Sequence, residues 1–367
     1  MKTLIDSLKE KINQRDKNEL KRTLKTYSGS IDFFSNDYLG FAKNDELHYK
    51  ILNHWIKNPQ LLHGSTGSRL ISGNSEYIIE TEKYIAREHN VESALLFPSG
   101  YNANLALFSS ILQKNDLILV DENVHRSIYD GCKLSFAKKW KFKHNDIIHL
   151  ERLLKKSSEK CFIAVESLYS MDGDFAPIEE LCVLAKKYNA VLIIDEAHAF
   201  GVLGYGITHQ KKLQNKIFAT IVTYGKALGI HGAAILGNKE LIEYLINFAS
   251  PFIYSTAQPN TQVSSIKIAY EYLKNRPYLS QKLNENIQYF KSKCHNLSSD
   301  YRSPIQIIEL NNKEDYKQIQ KDFIQQNIQT FTVLPPTVKK ERIRICIHAY
   351  NTRKEIDKLC KIINQYV

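Results

Sequence analysis

From about Ser93 onward the chain alternates short apolar runs with stretches of helical periodicity, and the runs are apolar at every position rather than at every second one. They are ALLF (Ala94 to Phe97), LILV (Leu117 to Val120), FIAV (Phe162 to Val165), VLIID (Val191 to Asp195), IFATIV (Ile217 to Val222) and AAIL (Ala233 to Leu236). Continuous apolar runs suit strands covered on both faces, so the pattern predicts an α/β fold in which helices flank a mostly parallel sheet. Upstream, Leu4, Leu8 and Ile12 recur at helical spacing among lysines, predicting an exposed amphipathic helix within Thr3 to Thr26. After about Gln258 the rhythm changes to a long polar helical stretch (Thr261 to about Leu297), strand-like IQIIEL (Ile305 to Leu310), a helix around Tyr316 to Gln326, strand-like RIRICIHA (Arg342 to Ala349) and a terminal helix from Arg353. This reads as a smaller α+β lobe. The expected division is an arm over residues 1–40, a large domain over 41–260 and a small domain over 261–367. With no repeat or low-complexity linker, the lobes are expected to be packed together.

Composition narrows the class. At 43% hydrophobic and 24% charged, the 367 residues hold enough apolar material for a buried core, which argues against global disorder. The formal charge of +11 points to an anionic partner without choosing among nucleic acid, membrane surface, phosphate-bearing cofactor and acidic carrier. Six scattered cysteines form no CxxC or CxxH pair, so neither a zinc site nor a disulfide framework is expected and a reducing, cytoplasmic setting is. The charged amino-terminal segment lacks the apolar stretch of a signal peptide, and no run of apolar residues approaches membrane-spanning length.

In an open α/β sheet chemistry gathers beyond the carboxyl ends of the strands, and here each such end carries polar residues. PSGYNAN follows the first run, setting Ser99, Gly100 and Tyr101 before an apolar helix whose free amides suit phosphate. His125 follows the second run; Glu166, Ser170 and Asp172 follow the third. Each taken singly suits an ordinary turn or a satisfied surface residue. The fourth run ends in Asp195, with Glu196, Ala197 and His198 behind it. This DEAH string also occurs in helicases, but their phosphate loop, GxxxxGK[ST], is missing: Gly225-Lys226 is followed by Ala227 and lies downstream. Lys226 itself stands among small residues after the fifth run. Desolvating an ammonium there favours the neutral amine, a nucleophile able to form Schiff bases. A phosphate seat, an aromatic-sized histidine, a carboxylate ending a central strand, a second histidine and this lysine are together the parts of a pyridoxal phosphate site.

In this order the motifs resemble those of the α-oxoamine synthases. The resemblance runs from about Asp32 to the end through FFSNDYLGFA, HGSTGSRLISG, LFPSGYNAN, HRSIYDG, ESLYSMDGDFAP, IIDEAHAFGVLG, VTYGKALGIHGAAILG and FIYSTAQP. It implies an aminotransferase-like fold of type I, with a mostly parallel seven-stranded sheet and a smaller α+β domain. It also implies a pyridoxal 5'-phosphate enzyme that condenses an amino acid with an acyl thioester. The branch it looks most like joins L-alanine to a pimeloyl thioester of coenzyme A or acyl carrier protein. Related branches use glycine or serine, and a silent scaffolding homologue would be expected to lack the Schiff-base lysine.

By resemblance, Lys226 holds the cofactor, Asp195 faces its ring nitrogen, His198 its phenolic oxygen and His125 its ring face. Gly100, Tyr101 and Thr223 match positions around the phosphate, and Ser255 and Thr256 match a segment reaching the phosphate of a neighbouring subunit, which implies a homodimer with shared sites. Asn36, Ser170 and Arg344 match positions near the amino acid, Ser170 also bordering the cofactor, and Arg22 matches an arginine near the acyl chain. Leu334 stands where several relatives carry arginine before the Pro-Pro-Thr-Val run.

Overall fold

A computed structural model describes every residue except 1, 25, 27, 28, 295, 296, 298, 336 and 337. Lys25, within the segment expected to be helical, and Pro336 and Thr337 of the Pro-Pro-Thr-Val run thus lie outside the described residues. The chain opens with helix α1 (Lys2–Lys17), shorter than the pattern predicts, whose Leu4, Leu8 and Ile12 are all at least half exposed. A two-residue strand β1 (Ile31–Asp32) follows, then helices α2 (Asp45–Lys57) and α3 (Glu76–Glu88).

The central region alternates strand and helix. Its elements are β2 (Ser93–Phe97), α4 (Gly100–Ile111), β3 (Asp116–Asp121), α5 (Arg126–Leu134), β4 (Lys138–Phe142), α6 (Ile147–Lys156), β5 (Lys160–Glu166), α7 (Ile178–Lys187), β6 (Val191–Asp195), the short α8 (Ile207–Gln210), β7 (Ala219–Thr223), β8 (Ala233–Gly237), α9 (Lys239–Phe248) and the short α10 (Ser250–Ile253). The strands form one seven-stranded sheet in the order β2-β8-β7-β6-β5-β3-β4. Only β8 runs against the others. All six predicted runs are strands of this sheet. The seventh, β4, has the sequence KKWKF and is exposed at all but its last residue. Lysines there keep the sheet edge from pairing with another chain, and they also hide the strand from a search for apolar runs.

Helix α11 (Asn260–Lys274) lies against α2 and α3. The predicted long helix is interrupted after it: Pro277 lacks an N–H and disfavours helical backbone at Arg276, so a separate helix α12 (Tyr278–Lys293) begins. Then come β9 (Ile305–Ile308), α13 (Lys313–Gln325), β10 (Ile328–Gln329), β11 (Phe331–Val333), β12 (Arg342–Cys346) and α14 (Arg353–Ile363). Strands β11, β12 and β9 form an antiparallel sheet with β12 in the middle, while β10 pairs with β1. The segment after β1 is thereby laid along the small sheet, with Phe33 accepting from the Cys346 amide and Tyr38 from the Ala349 amide. Among the described residues no helix is long and apolar enough to cross a membrane.

Candidate active site

Because the strands of the large sheet other than β8 point one way, the segments after β2, β3, β5, β6 and β7 emerge along one edge. Glu166 and Asp195 are register partners at the ends of β5 and β6. Lys226 lies in the turn joining β7 to β8, closed by Tyr224 donating to Gly232 and Ile230 donating to Tyr224. This turn needs close backbone approach. Gly229, at φ 61°, would drive a Cβ to 2.4 Å from the Ala42 amide nitrogen, and a Cβ on Gly201 would lie 2.3 Å from that of Ala227.

Lys226 is desolvated by burial, which lowers its pKa although Asp195 and Glu166 act in the opposite sense. Asp195 is buried. Its Oδ2 accepts from Asn104 Nδ2 at 2.7 Å and its Oδ1 from the Ala197 amide at 2.9 Å. Glu166, fully buried, accepts from the His125 amide. Burial and the neighbouring Asp195 push its carboxyl up to about 8. His125 Nδ1 lies 2.7 Å from Ser127 Oγ. Burial, and then the nearby Lys226, depress its pKa. The same causes, with Arg344 added, hold His198 well below the ordinary histidine value.

A second group faces this cluster from the small sheet. Arg344, buried on β12, donates from Nε to the Ser170 carbonyl at 2.6 Å, from Nη1 to Cys346 Sγ at 2.9 Å and from Nη2 to Asn36 Oδ1 at 2.8 Å. Tyr38 links the groups: its hydroxyl lies 2.7 Å from His198 Nδ1 and 3.2 Å from Asn36 Oδ1. Asn36, Ser170, His198 and Arg344 therefore share one network. A forked guanidinium beside an amide suits a carboxylate.

Gly100 opens α4 beside Thr223, whose Cβ lies 3.5 Å from where a Gly100 Cβ would stand. Tyr101 is partly exposed, its hydroxyl donating to Asp130 at 2.7 Å. Ser255 and Thr256 lie in another loop, tied to residues 67 and 68 by the Ala257 amide donating to the Gly67 carbonyl and by a Ser68–Thr256 bridge. Arg22 sits in the exposed segment after α1.

Three features escape residue-by-residue reading of the sequence. Tyr38 was visible only as part of FFSNDYLGFA. Asn104 closes the LFPSGYNAN motif and interrupts the apolar face of α4, but neither feature names its partner. His144, two residues past the unpredicted β4, contacts Asp121 at 2.9 Å and Asp174 at 2.8 Å. Burial opposes its charge, yet the two carboxylates outweigh burial and raise it to about 10. His144, Asp172 and Asp174 offer ligand atoms within 4.8 Å of one another, but His144 is already paired and Asp172 is held by Arg342 and Asn123. These residues form a charge network.

A desolvated lysine, a carboxyl group at a strand end that accepts from two donors, a histidine of lowered pKa and a helix amino terminus fit pyridoxal phosphate: each complements one part of that cofactor.

Residues 28–363 match the family model for class I and II aminotransferases. An 8-amino-7-oxononanoate synthase of Emericella nidulans is 37% identical over 99% of this chain and 95% of its own. One of Aliivibrio fischeri strain ES114 is 34% identical over 91% of this chain and 88% of its own. Among solved structures, the 8-amino-7-oxononanoate synthase of Francisella tularensis superposes with a TM-score of 0.79 at 30% identity, covering 92% of this chain and 97% of that one. A serine palmitoyltransferase of S. paucimobilis with a bound pyridoxal phosphate–myriocin aldimine reaches 0.88 at 21% identity, covering 99% and 97%; at that identity the likeness is one of fold. The chain therefore belongs to the class I and II aminotransferase family, as a pyridoxal-phosphate-dependent acyltransferase of the α-oxoamine synthase group that resembles 8-amino-7-oxononanoate synthase.

Proposed function

We propose that the enzyme condenses L-alanine with the pimeloyl group of a thioester, on coenzyme A or acyl carrier protein, to give 8-amino-7-oxononanoate, carbon dioxide and free thiol, a step of biotin biosynthesis. The observation that carries this reading is the near full-length identity to enzymes of that name, combined with a complete lysine, aspartate and histidine set.

Bound pyridoxal phosphate supplies an electron sink for the pair of electrons left when the amino acid loses its Cα proton. The roles of this chain's residues follow from their settings. Asp195, kept an acceptor by two donors, holds the proton on the ring nitrogen. His198 offers its free nitrogen to the phenolic oxygen. Lys226 would hold the cofactor, and its amine, driven toward the neutral form by burial, would take the Cα proton as general base. With the cofactor held, His125 would face it and would donate to the thioester oxygen as negative charge develops there. Gly100, Tyr101 and Thr223 bind the phosphate, while Ser255 and Thr256 reach the site of a second copy, which makes the working enzyme a homodimer. Asn36 and Arg344 receive the substrate carboxylate, with Ser170 at the junction of substrate and cofactor. Arg22 serves the acyl chain.

The test is a substrate panel: alanine, glycine and serine, each with pimeloyl-coenzyme A and pimeloyl carrier protein, and glycine also with acetyl- and succinyl-coenzyme A, with products identified by mass. Alanine with a pimeloyl donor is expected to be turned over fastest. Faster turnover of glycine with acetyl or succinyl donors, or of serine, would overturn the assignment.

A further inference from the structure

Asn104 sits inside a mostly apolar helix face, among buried Ala103, Ala106, Leu107 and Phe108, where leucine would propagate the helix better. Its two amide hydrogens are both used. Nδ2 donates to Asp195 Oδ2 at 2.7 Å and to Ser127 Oγ at 2.9 Å. Its Oδ1 is buried without a partner. Turning the amide over would aim that oxygen at the Asp195 carboxylate, so the orientation is fixed even though an orphaned carbonyl costs about 1–3 kcal/mol.

The direction of the next bonds follows. Ser127 Oγ accepts from Asn104, so its own hydrogen is free for His125 Nδ1, 2.7 Å away. The Ser127 amide also donates to Nδ1, at 3.2 Å. With two donors directed at it, Nδ1 keeps its lone pair and the imidazole proton resides on Nε2.

We propose that Asn104 and Ser127 are positioning residues: Asn104 holds Asp195 as the carboxylate and, through Ser127, holds His125 as the neutral Nε2–H tautomer, ready to donate toward the substrate. This rests on the roles given above to Asp195 and His125. Charged and titratable groups facing His125 come from several elements: Lys226 from the β7–β8 turn, Asp195 and then His198 from β6, Glu166 from β5 through the His125 amide, and Asp130 from α5. Their titration changes the field at the ring but not the donor arrangement at Nδ1.

The experiment is long-range ¹H–¹⁵N NMR on holoenzyme labelled at histidine nitrogen, with the His125 signals assigned through His125→Gln. The expected wild-type pattern is an unprotonated Nδ1 and a protonated Nε2 persisting between about pH 5 and 8, the range in which a free histidine changes charge. In Asn104→Asp the new carboxylate takes the Ser127 hydrogen, Ser127 becomes an acceptor, and the His125 proton moves to Nδ1. In Ser127→Ala only the longer amide bond, 3.2 Å, is left at Nδ1, so the Nδ1-protonated tautomer becomes populated beside the Nε2 one; Ser127→Thr restores the single pattern. In Asn104→Leu the ring-nitrogen signal of ¹⁵N-labelled pyridoxal phosphate shifts toward its unprotonated position, whereas Ser127→Ala leaves it in place. A wild-type His125 protonated at Nδ1, or a pattern unchanged in Ser127→Ala, would overturn the proposal; Ser127→Ala keeps it falsifiable should the Asn104 variants fail to fold. The NMR pattern is read without the acyl substrate. A failed substrate panel with an intact His125 pattern would sink the substrate assignment alone, and the converse result would sink the relay alone.

Discussion

His125 and His144 flank the same part of the sheet, one after β3 and the other after β4, yet the protein gives them opposite charge states. His125 faces donors: the Ser127 hydroxyl and amide meet Nδ1, and Lys226 lies nearby, so burial prevails and the ring stays neutral. His144 faces acceptors on both sides, Asp121 and Asp174, and these overcome burial to keep it protonated up to about pH 10. Burial opposes the charge on either ring, so burial alone does not decide the outcome. What decides it is the neighbours' charge: Lys226 adds to burial at His125, whereas two carboxylates outweigh burial at His144. The neutral histidine is the one with a part in the proposed reaction. The charged one ties Asp121, at the root of the His125 loop, to Asp174, in the loop that carries Ser170.

The strongest way to break this contrast is to remove the lysine beside His125. Lys226→Ala is expected to abolish the borohydride-trapped cofactor adduct, lower turnover by at least ~10²–10⁴-fold and let the pKa of His125 rise. An unchanged adduct on peptide mapping would contradict the role of Lys226. Next in size is Asp121→Asn, which removes the charge of a fully buried partner while Asp174 still holds His144, and is expected to cost about 1–3 kcal/mol in denaturant unfolding. A smaller effect is expected from pH. Because the folded-state pKa of His144 is raised from 6.5 to about 10, its contribution to stability is fully present below about pH 6.5 and is lost as pH rises through about 10. The unfolding midpoint should fall across that window in the wild type and less steeply in His144→Gln; parallel slopes would refute the ion-pair reading. The smallest change is expected from Arg344→Lys, which keeps the charge but loses the fork. It should raise KM for the amino acid by about tenfold, near the worth of one charge-assisted hydrogen bond, while leaving KM for the thioester close to its original value.

Much of this architecture is legible along the chain, because a strand buried on both faces must be apolar throughout. The runs ending at Phe97, Val120, Val165, Asp195 and Val222 mark both the sheet and the edge where chemistry collects. Strand β4 is illegible for the same reason in reverse: its edge position calls for lysines. The break at Pro277 was written in the sequence, but helical periodicity on either side masked it.

The residues that bear directly on the proposed reaction, Lys226, Asp195, His198 and His125, could be found from their places after apolar runs. Asn104, Tyr38 and His144 could not. Their significance lies in the partner each meets across the fold: Asn104 meets Asp195, Tyr38 meets His198 and His144 meets Asp121. The sequence by itself determined where six of the seven strands lie along the chain, that their carboxyl ends carry the polar residues and which chemical kinds of group are available there, since those follow from hydrophobic periodicity and residue type. Only the tertiary structure decided which donor faces which acceptor, and hence which histidine is neutral and which is charged, because protonation is set by distances between residues far apart in the chain.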